Sequence, residues 1–346
     1  MKIKLPKTRY YGSKRKLIPW IWECIENEKL EFNSVLDLFG GSGVFSYSAK
    51  LREKEVYYND IFKFNYHIGR ALIENNKIKV SPSDIDYLVT RHNSIRYQFK
   101  IFNYFKDIYY PDEENRQIDI ICQNILNIRD ELKKSLFFYL LFQSCMIKRP
   151  FNIFHRKNLN LRTNNVIRNF GNKKTWEIPF YDLFVRFANE INDYIFNNGG
   201  KNISYNFSAL DCPINADLVY IDPPYMNQKN THTTYLSKYH FLEGLVYYEN
   251  FIDHINFKKK NLEININSNM DFENRTTFFI NLQKLIFKHR NSIIVISYRK
   301  NGIPSINDLI SFLQTLNKNV SVYSNKYSYA LRRNNFEQEE VLIIIS

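Results

Sequence analysis

The sequence predicts an α/β fold with an open, mostly parallel, Rossmann-like sheet that carries helices on both faces and is interrupted by a mainly helical insert. Three observations predict it. Between residues 34 and 50, a strand pattern is followed by a glycine loop and a helix pattern. From about residue 76 to 198 the apolar spacing is helical, and no strand pattern alternates with it. The alternation of strand and helix returns from about residue 203.

The first α/β segment covers residues 34–73. Apolar runs of strand length at residues 34–39 and 56–61 are separated by four residues that include three glycines, Gly40, Gly41 and Gly43, and by a segment of helical spacing. A second helical segment follows at residues 64–75. This order predicts a βαβ unit, in which the two strands are parallel neighbours.

The middle of the chain differs in texture from both ends. Charged and aromatic segments with helical spacing occupy residues 95–110 and 117–142, and a polar, basic stretch follows at residues 148–176. We therefore predict a catalytic domain of residues 1–75 and 200–346 and a separate insert of residues 76–199. The Asn-Asn-Gly-Gly at residues 197–200 marks the second boundary.

The last third of the chain resumes the α/β order. Strand patterns at residues 216–221, 292–297 and 341–346 alternate with helical patterns at residues 237–255 and 307–318. We expect these strands to extend the sheet begun by the first segment.

The composition predicts a globular protein with excess positive charge. The 346 residues include 48 Lys and Arg against 35 Asp and Glu, a formal net charge of +13, and 44% of them are hydrophobic. Enough apolar residues for a core exclude a disordered or collagen-like chain. The charge favours nucleic acid as a partner, although basic proteins without such a partner are common.

The cysteines and the apolar segments indicate a cellular compartment. The four cysteines form no CxxC pair, which fits neither a disulfide framework nor a zinc ribbon, and the seven histidines show no metal-ligand spacing. We therefore expect a reducing compartment and no metal. The longest apolar stretch, residues 135–147, is too short to cross a bilayer, so we expect a soluble, cytoplasmic protein without a membrane partner.

The glycine loop predicts a nucleotide-type ligand. It lies between a strand and a helix, where glycines allow close backbone approach and a helix N-terminus offers free N–H groups. Asp60 follows the next strand, where its carboxylate can accept hydrogen bonds from ribose hydroxyls. Asp37 stands before the loop; it would repel a pyrophosphate but suits the ammonium group of a methionine moiety. S-adenosylmethionine is favoured, while NAD(P) and a plain tight turn remain alternatives.

A second motif follows the strand at residues 216–221. It is Asp222, Pro223, Pro224 and Tyr225, where the two prolines fix the turn and remove two N–H donors. The carbonyls of Asp222 and Pro223 are then rigid acceptors beside an aromatic ring, an arrangement suited to a planar amine. The alternative is that these four residues form only a rigid turn with no role in catalysis. The position of the motif, at the end of a core strand and downstream of the glycine loop, disfavours this alternative.

The motifs together resemble those of the N6-adenine DNA methyltransferases of the D12, Dam-like class. The resemblance rests on residues 9–14, 37–43, 59–61, 222–225 and 297–305. Their order, with the insert between the glycine loop and the Asp-Pro-Pro-Tyr motif, is similar to that of the α group of DNA amino-methyltransferases. The resemblance implies a Rossmann-like methyltransferase core that uses S-adenosyl-L-methionine, and an insert that recognises double-stranded DNA.

The resemblance also implies roles for individual residues. Asp222 and the Pro223 carbonyl would hold the adenine amine, with Tyr225 stacked on a base turned out of the duplex. Lys14 would lie near the methionine carboxylate, and Asp60 and Ile61 would contact the ribose and adenine. The cofactor-binding residues expected in this way are Tyr10, Tyr11, Gly12, Lys14, Asp37, Phe39, Gly41, Gly43, Asp60 and Ile61. Where the family has an Asp that meets the cofactor's adenine, this chain has Ser208, so either Ser208 or Asp211 is expected there.

The basic stretch of the insert is the expected DNA-binding region. Lys and Arg neutralise phosphates, and Asn, Gln and Arg can read base edges. The expected residues are Lys148, Arg149, His155, Arg156, Lys157, Arg162, Arg168, Lys173 and Lys174. The alternative is a solvated polar loop. The resemblance further suggests a cognate restriction endonuclease as a partner, and a monomer is favoured.

Other functions are disfavoured by particular residues. No cysteine follows a proline, so the thiolate chemistry of cytosine C5 methylation is not expected. Methylation of adenine in RNA remains open, as does a DNA-binding regulator that has lost activity. The intact residues 222–225 and glycine loop disfavour the regulator, and an NAD-dependent enzyme is a remote third alternative.

Overall fold

The computed structural model describes residues 4–164, 173–225, 234–266, 270–327 and 338–346. A single sheet of seven strands lies at its centre. In chain order the strands are β1 Ser34–Asp37, β2 Glu55–Asn59, β3 Asn202–Tyr205, β4 Leu218–Ile221, β5 Ile293–Arg299, β6 Val320–Tyr327 and β7 Gln338–Ile345.

The sheet has the order β3-β2-β1-β4-β5-β7-β6. The first five strands in this order pair in parallel, and β7 runs antiparallel to both β5 and β6. The chain proceeds outward from β1 through β2 to β3, then returns to place β4 on the other side of β1. The point between β1 and β4 is therefore the topological switch point, where open α/β sheets bind ligands.

The helices surround this sheet. In chain order they are α1 Ile18–Asn27, α2 Val44–Lys50, α3 Lys63–Gly69, α4 Pro82–Val89, α5 Lys100–Tyr104, α6 Asp112–Leu126, α7 Glu131–Ile147, α8 Asn160–Thr163, α9 Lys173–Glu177, α10 Phe180–Asn192, α11 Tyr235–Val246, α12 Phe278–Lys288 and α13 Ile306–Gln314. A π-helical turn, Arg70–Glu74, continues α3, and short 3-10 turns occur at Pro150–Asn152 and Phe251–His254.

The central strands β1, β4 and β5 bury both of their faces, as parallel strands in α/β proteins do. In β4, Leu218 and Tyr220 belong to the apolar cluster on one face, whereas Val219 and Ile221 belong to the cluster on the other. The first cluster includes residues of α1, α2, α3, α6, α7, α10 and α11, and the second includes residues of α12 and α13. The mixed α/β fold predicted from the sequence, with helices on both faces, is thereby confirmed.

Helix α7 contains the longest apolar stretch of the sequence and is buried from Ser135 to Met146. A helix that is apolar all round needs neighbours on every side, and α7 has them within the protein. The Ser135 hydroxyl lies 2.9 Å from Nδ1 of His67 in α3. None of the helices in the described part of the chain is long and apolar enough to span a membrane.

Residues 76–199 are helical wherever they are described as regular structure, as predicted. The apolar residues of α6, α7 and α10 nevertheless belong to the same buried cluster as Val35 and Val56 of the sheet. Helical residues of the insert thus share a core with the catalytic strands. The division into residues 1–75 with 200–346 and residues 76–199 stays a prediction.

Candidate active site

A cleft opens at the carboxyl edge of the sheet, at the switch point. Asp37 ends β1 and pairs in register with Tyr220 of β4, so the glycine loop and the 222–225 turn emerge side by side. The cleft encloses about 930 Å³, including space open to solvent. Sequence-predicted residues that line it are Tyr10, Gly12, Lys14, Asp37, Phe39, Gly41, Asp60, Ile61, Ser208, Asp222, Pro224 and Tyr225. Tyr11, Gly43, Asp211 and Pro223 are not in this lining.

The glycine loop takes a conformation that few other residues adopt. Gly41 and Gly43 have φ of 48° and 71°, in the left-handed region. The Gly41 N–H donates to Asp60 Oδ2 at 2.9 Å, and the Tyr58 hydroxyl donates to the Gly41 carbonyl at 2.9 Å. The loop is therefore held against the end of β2, with Gly43 directly before α2.

Asp37 is a buried carboxyl group with an incomplete set of partners. Its Oδ2 accepts a hydrogen bond from Ser46 at 2.6 Å, whereas its Oδ1 has no partner among the described residues. Burial, together with the nearby Asp222 and Asp60 carboxylates, raises the pKa of Asp37 to about 7, against the lowering effect of the Ser46 hydrogen bond. A buried acceptor of this kind fits a cationic ligand group such as the ammonium of a methionine moiety.

Asp60 joins the glycine loop to the start of α3. Besides the Gly41 N–H, it accepts a hydrogen bond from the Phe62 N–H at 2.9 Å. Burial raises its pKa to about 6, against the lowering effect of these two donors. Asp60 lines the cleft, where a carboxylate can accept hydrogen bonds from hydroxyl donors such as those of ribose.

The loop after β3 forms the neighbouring wall of the cleft. The Asn206 amide donates to the carbonyls of Asp60 and Ile61 at 2.8 and 2.9 Å. Ser208 then donates to Asp271 Oδ2 at 3.0 Å, and both line the cleft. Asp211 is exposed and lies outside the lining. Of the two residues that the sequence left open, Ser208 is the one that the structure places at the site.

The 222–225 turn carries a buried hydrogen-bond network. The Tyr225 hydroxyl is 2.6 Å from Asp222 Oδ1 and 2.8 Å from Glu340 Oε1. Lys14 Nζ lies 3.4 Å from Asp222 Oδ1 and also contacts the Tyr225 hydroxyl and Glu340. The Lys14 ammonium thus lies at the 222–225 turn and lines the cleft, and its expected place near the methionine carboxylate stays a prediction.

This network sets the electrostatic environment of the Asp222 carboxyl group and of the Tyr225 ring. Burial raises the pKa of Asp222, the Lys14 ammonium lowers it, and the Glu340 carboxylate raises it. The Tyr225 ring has Lys14 Nζ 4.6 Å and the Arg299 guanidinium 4.8 Å from its centroid. Stacking of this ring on an extruded base stays a prediction.

The site combines a carboxylate suited to ammonium, a carboxylate suited to ribose and an Asp-Pro-Pro-Tyr turn in one cleft. Residues 10–301 match the family described as D12 class N6 adenine-specific DNA methyltransferase. The chain belongs to this family. The match begins at Tyr10 and ends beyond β5, so it includes the glycine loop, the insert and the catalytic turn.

Individual relatives agree with the family. The chain is 33% identical over 237 residues to the type II methyltransferase M2.HphI of Haemophilus parahaemolyticus, covering 66% of this chain and 68% of the relative. It is 28% identical over 345 residues to the modification methylase StsI of Streptococcus sanguinis, covering 93% of this chain and 48% of that protein. It is 26% identical to the type II methyltransferase M.FokI of Planomicrobium okeanokoites, covering 70% of this chain and 37% of that protein. The chain therefore spans about half or less of the latter two.

Several residues at this methyltransferase site were not predicted from the sequence. They are Tyr235, Asp271, Phe272 and Glu273 in the cleft lining and Glu340 beneath the catalytic turn. Burial of Glu340 could have been inferred from the sequence. In a strand, Glu340 points to the same face as Leu342 and Ile344, and these two residues face the core. A carboxylate at an inward position of a closing strand indicates a buried partner. Asp271 and Glu273 offered no comparable pattern.

Three cations predicted to contact DNA are instead structural in this methyltransferase. Lys148 and Arg162 both pair with Glu114 at 2.8 Å and donate to the Trp176 carbonyl at 2.9 Å. Arg149 is only 1% exposed and donates to the carbonyl of Arg156 at 3.0 Å. Because these three cations are buried and bonded within the protein, they do not present their charge to DNA phosphates, so we correct the expectation for Lys148, Arg149 and Arg162.

The other predicted DNA contacts differ in exposure. Arg156, Lys157 and Lys174 are exposed. His155 is half-buried, and burial lowers its pKa to about 4, so it is neutral near pH 7. Arg168 and the side chain of Lys173 lie outside the described residues.

Proposed function

We propose that this protein transfers a methyl group from S-adenosylmethionine to N6 of adenine in double-stranded DNA, as the modification enzyme of a restriction-modification system. One observation carries the proposal: Asp37 and Asp222 line the same cleft at the switch point of the sheet. The first suits a cationic amino-acid group, and the second begins a turn suited to a planar amine. Family membership and relatives named as type II methyltransferases support the same activity.

The cleft residues divide into two groups by role. Asp37 holds the ammonium and Asp60 the ribose hydroxyls of S-adenosylmethionine, with Gly41 admitting close backbone approach. When bound, this cofactor supplies an electrophilic methyl group on its sulfonium. Asp222 and the Pro223 carbonyl accept the two hydrogens of the adenine N6 amine, which directs the nitrogen lone pair at the reacting centre.

Tyr225 competes with an incoming amine for one carboxylate oxygen of Asp222. The Tyr225 hydroxyl is 2.6 Å from Asp222 Oδ1, so an amine that binds this oxygen displaces the hydroxyl. Glu340, 2.8 Å from the same hydroxyl, offers it an alternative acceptor. We therefore infer that base entry turns Tyr225 away from Asp222, after the target adenine has left the duplex stack.

The proposed substrate defines the remaining partners. The exposed Arg156, Lys157 and Lys174 hold DNA phosphates. A restriction endonuclease that acts on the same DNA sequence is the proposed functional partner, and the proposed place of action is the bacterial cytoplasm, at the nucleoid.

Long-read sequencing of a plasmid from cells that express the protein tests the activity. We expect N6-methyladenine in one short sequence context for the wild type and none for Asp222→Ala, because the amine then lacks its carboxylate acceptor. Asp211→Ala is the matched control, since Asp211 is exposed outside the cleft lining, and it should methylate normally. Methylation retained by Asp222→Ala, or methylation of RNA but not DNA by the purified protein, would contradict the proposal.

A further inference from the structure

We propose that the turn of residues 256–260 is a second DNA-binding element, which forms a basic groove with Arg156 and Lys157 and holds duplex phosphates beside the cleft. The proposal rests on the proposed function and names a surface for its substrate. The turn follows the catalytic motif in the chain and lies outside the predicted insert, so neither the motifs nor the family match assigns it a role.

The groove is formed by two segments that are distant in sequence. Its lining includes His155, Arg156 and Lys157 from one segment and Lys260 from the other, together with Asp107. Lys258 and Lys260 are exposed, as are Arg156 and Lys157. The lining thus has three exposed cations, Arg156, Lys157 and Lys260, against one acidic residue, and Lys258 adds a fourth exposed cation on the same turn. This positive surface is complementary to a phosphate backbone.

The turn itself is braced by its flanks. Ile255 and Ile264 form an antiparallel bridge, the Asn256 N–H donates to the Glu263 carbonyl at 2.8 Å, and the Asn265 N–H donates to the His254 carbonyl at 2.9 Å. Lys259 Nζ pairs with Glu263 at 2.6 Å, so this cation stabilises the turn itself. Its neighbours Lys258 and Lys260 are exposed on a backbone that these hydrogen bonds hold in place.

A buried network fixes the turn to the basic segment of residues 155–157. The Ile264 N–H donates to Nδ1 of His240 at 3.1 Å, and the Asn261 amide donates to the Phe154 carbonyl at 3.3 Å. The Tyr109 hydroxyl lies 2.6 Å from the Phe154 carbonyl and 2.8 Å from the Asn261 carbonyl. Because the two segments share this network, the backbone positions of their cations are pre-organised before DNA binds. This lowers the entropy cost of binding.

Helix α11 connects the segment that carries the groove to the cleft. Phe154, the residue before His155, donates its N–H to the Lys238 carbonyl of α11 at 2.8 Å. Lys238 lies about one helical turn after Tyr235, which lines the cleft. Its ammonium is 4.6 Å from the Tyr235 ring centroid and 4.8 Å from that of Tyr11. Lys238 is itself buried, so α11 connects the groove to the cleft through its backbone and through Tyr235, and the exposed positive charge is that of Arg156, Lys157, Lys258 and Lys260.

Salt-dependent binding of a random-sequence DNA duplex tests the proposal. We expect Lys258→Ser/Lys260→Ser to reduce the slope of log affinity against log salt by about 1.8, which is about 0.9 for each lost phosphate contact. Lys77→Ser/Lys79→Ser is the matched control, because it removes the same charge from exposed lysines before α4, and it should keep the wild-type slope. Equal slopes for the two double variants would overturn the proposal.

Lysine acetylation of the wild-type protein with and without the duplex gives a direct readout. Lys258 and Lys260 should be protected by DNA, while Lys77 and Lys79 should react equally in both samples; no protection of Lys258 and Lys260 overturns the proposal. The two proposals fail separately. A wild-type protein that methylates no DNA but shows this protection contradicts the proposed function alone, whereas normal methylation without protection contradicts the second element alone.

Discussion

Lys14 and Glu340 form a buried ion pair beneath the Asp-Pro-Pro-Tyr turn, with side-chain exposures of 3% and 1%. The segment before α1 and strand β7, which are far apart in sequence, thus meet beneath residues 222–225. Glu340 also accepts a hydrogen bond from Ser297 at 3.0 Å. Glu340 shares the Lys14 ammonium with Asp222, and in the proposed mechanism this sharing limits how strongly Lys14 competes with an adenine amine for the Asp222 carboxylate.

Glu340→Gln tests this sharing. The amide oxygen can still accept from Tyr225 and Ser297, but the charge that holds Lys14 is lost, so Lys14 should pair with Asp222 alone. We expect kcat for DNA methylation to fall by about tenfold or more, while S-adenosylmethionine affinity stays within about twofold. Glu339→Gln, the same change at the surface partner of Lys300, should leave kcat unchanged. Equal loss of kcat in both variants would refute a specific role for Glu340.

Asp37 predicts a pH dependence of cofactor binding. Its pKa is raised to about 7, so the carboxylate becomes protonated below that pH and loses its attraction for an ammonium group. Calorimetry should show S-adenosylmethionine affinity falling by about tenfold per pH unit below about pH 7. Asp37→Asn should bind weakly, with a much flatter profile. A wild-type affinity that is constant from about pH 6 to about pH 8 would contradict the assignment.

The same raised pKa has the opposite sign for stability. Between about pH 4 and about pH 7 the folded protein binds the Asp37 proton more tightly than the unfolded chain does. The Asp37 contribution to the free energy of unfolding should therefore decrease as the pH rises through this window. Urea denaturation of the wild type and Asp37→Asn across the window measures it.

We expect Asp271, which lies beside Ser208 in the cleft, to accept a hydrogen bond from the adenine amine of S-adenosylmethionine. It accepts from Ser208 at 3.0 Å, and Phe272 beside it packs edge-on against Phe39 at 5.0 Å between ring centroids. A carboxylate in a cleft that these two rings also line suits the exocyclic amine of the cofactor's adenine. We expect Asp271→Ala to weaken S-adenosylmethionine binding by about tenfold, and Asp211→Ala to leave it unchanged. Equal affinities in calorimetry would exclude Asp271 from the adenine contact.

Glu114 tests the structural role of the buried cations. Removing its carboxylate leaves Lys148 and Arg162, with side-chain exposures of 1% and 6%, without their shared counter-charge. We expect Glu114→Ala to lower the free energy of unfolding by about 3–5 kcal/mol in urea denaturation. Glu113→Ala, at an exposed position of the same helical turn, should have a much smaller effect. Similar stabilities for the two variants would return Lys148 and Arg162 to the candidates for DNA contact.

The catalytic motifs could be located from the sequence because each is covalently attached to a strand end. The apolar runs before Gly40 and Asp222 predicted parallel strands, and parallel strands place their carboxyl ends at one edge of the sheet. The basic residues of the insert could not be sorted in the same way. Exposed Arg156 and buried Arg149 have similar neighbours in sequence, and only packing distinguishes them.

The sequence alone determined the α/β order, the glycine loop and the Asp-Pro-Pro-Tyr turn, since these depend on local spacing and on residues adjacent along the chain. The tertiary structure alone decided that Glu340 reaches Lys14, that Asp271 meets Ser208 and that Lys260 faces Arg156 and Lys157. Each of these pairs joins segments that are far apart in sequence. Burial and ion pairing depend on distances in space, which the local pattern of a chain does not encode.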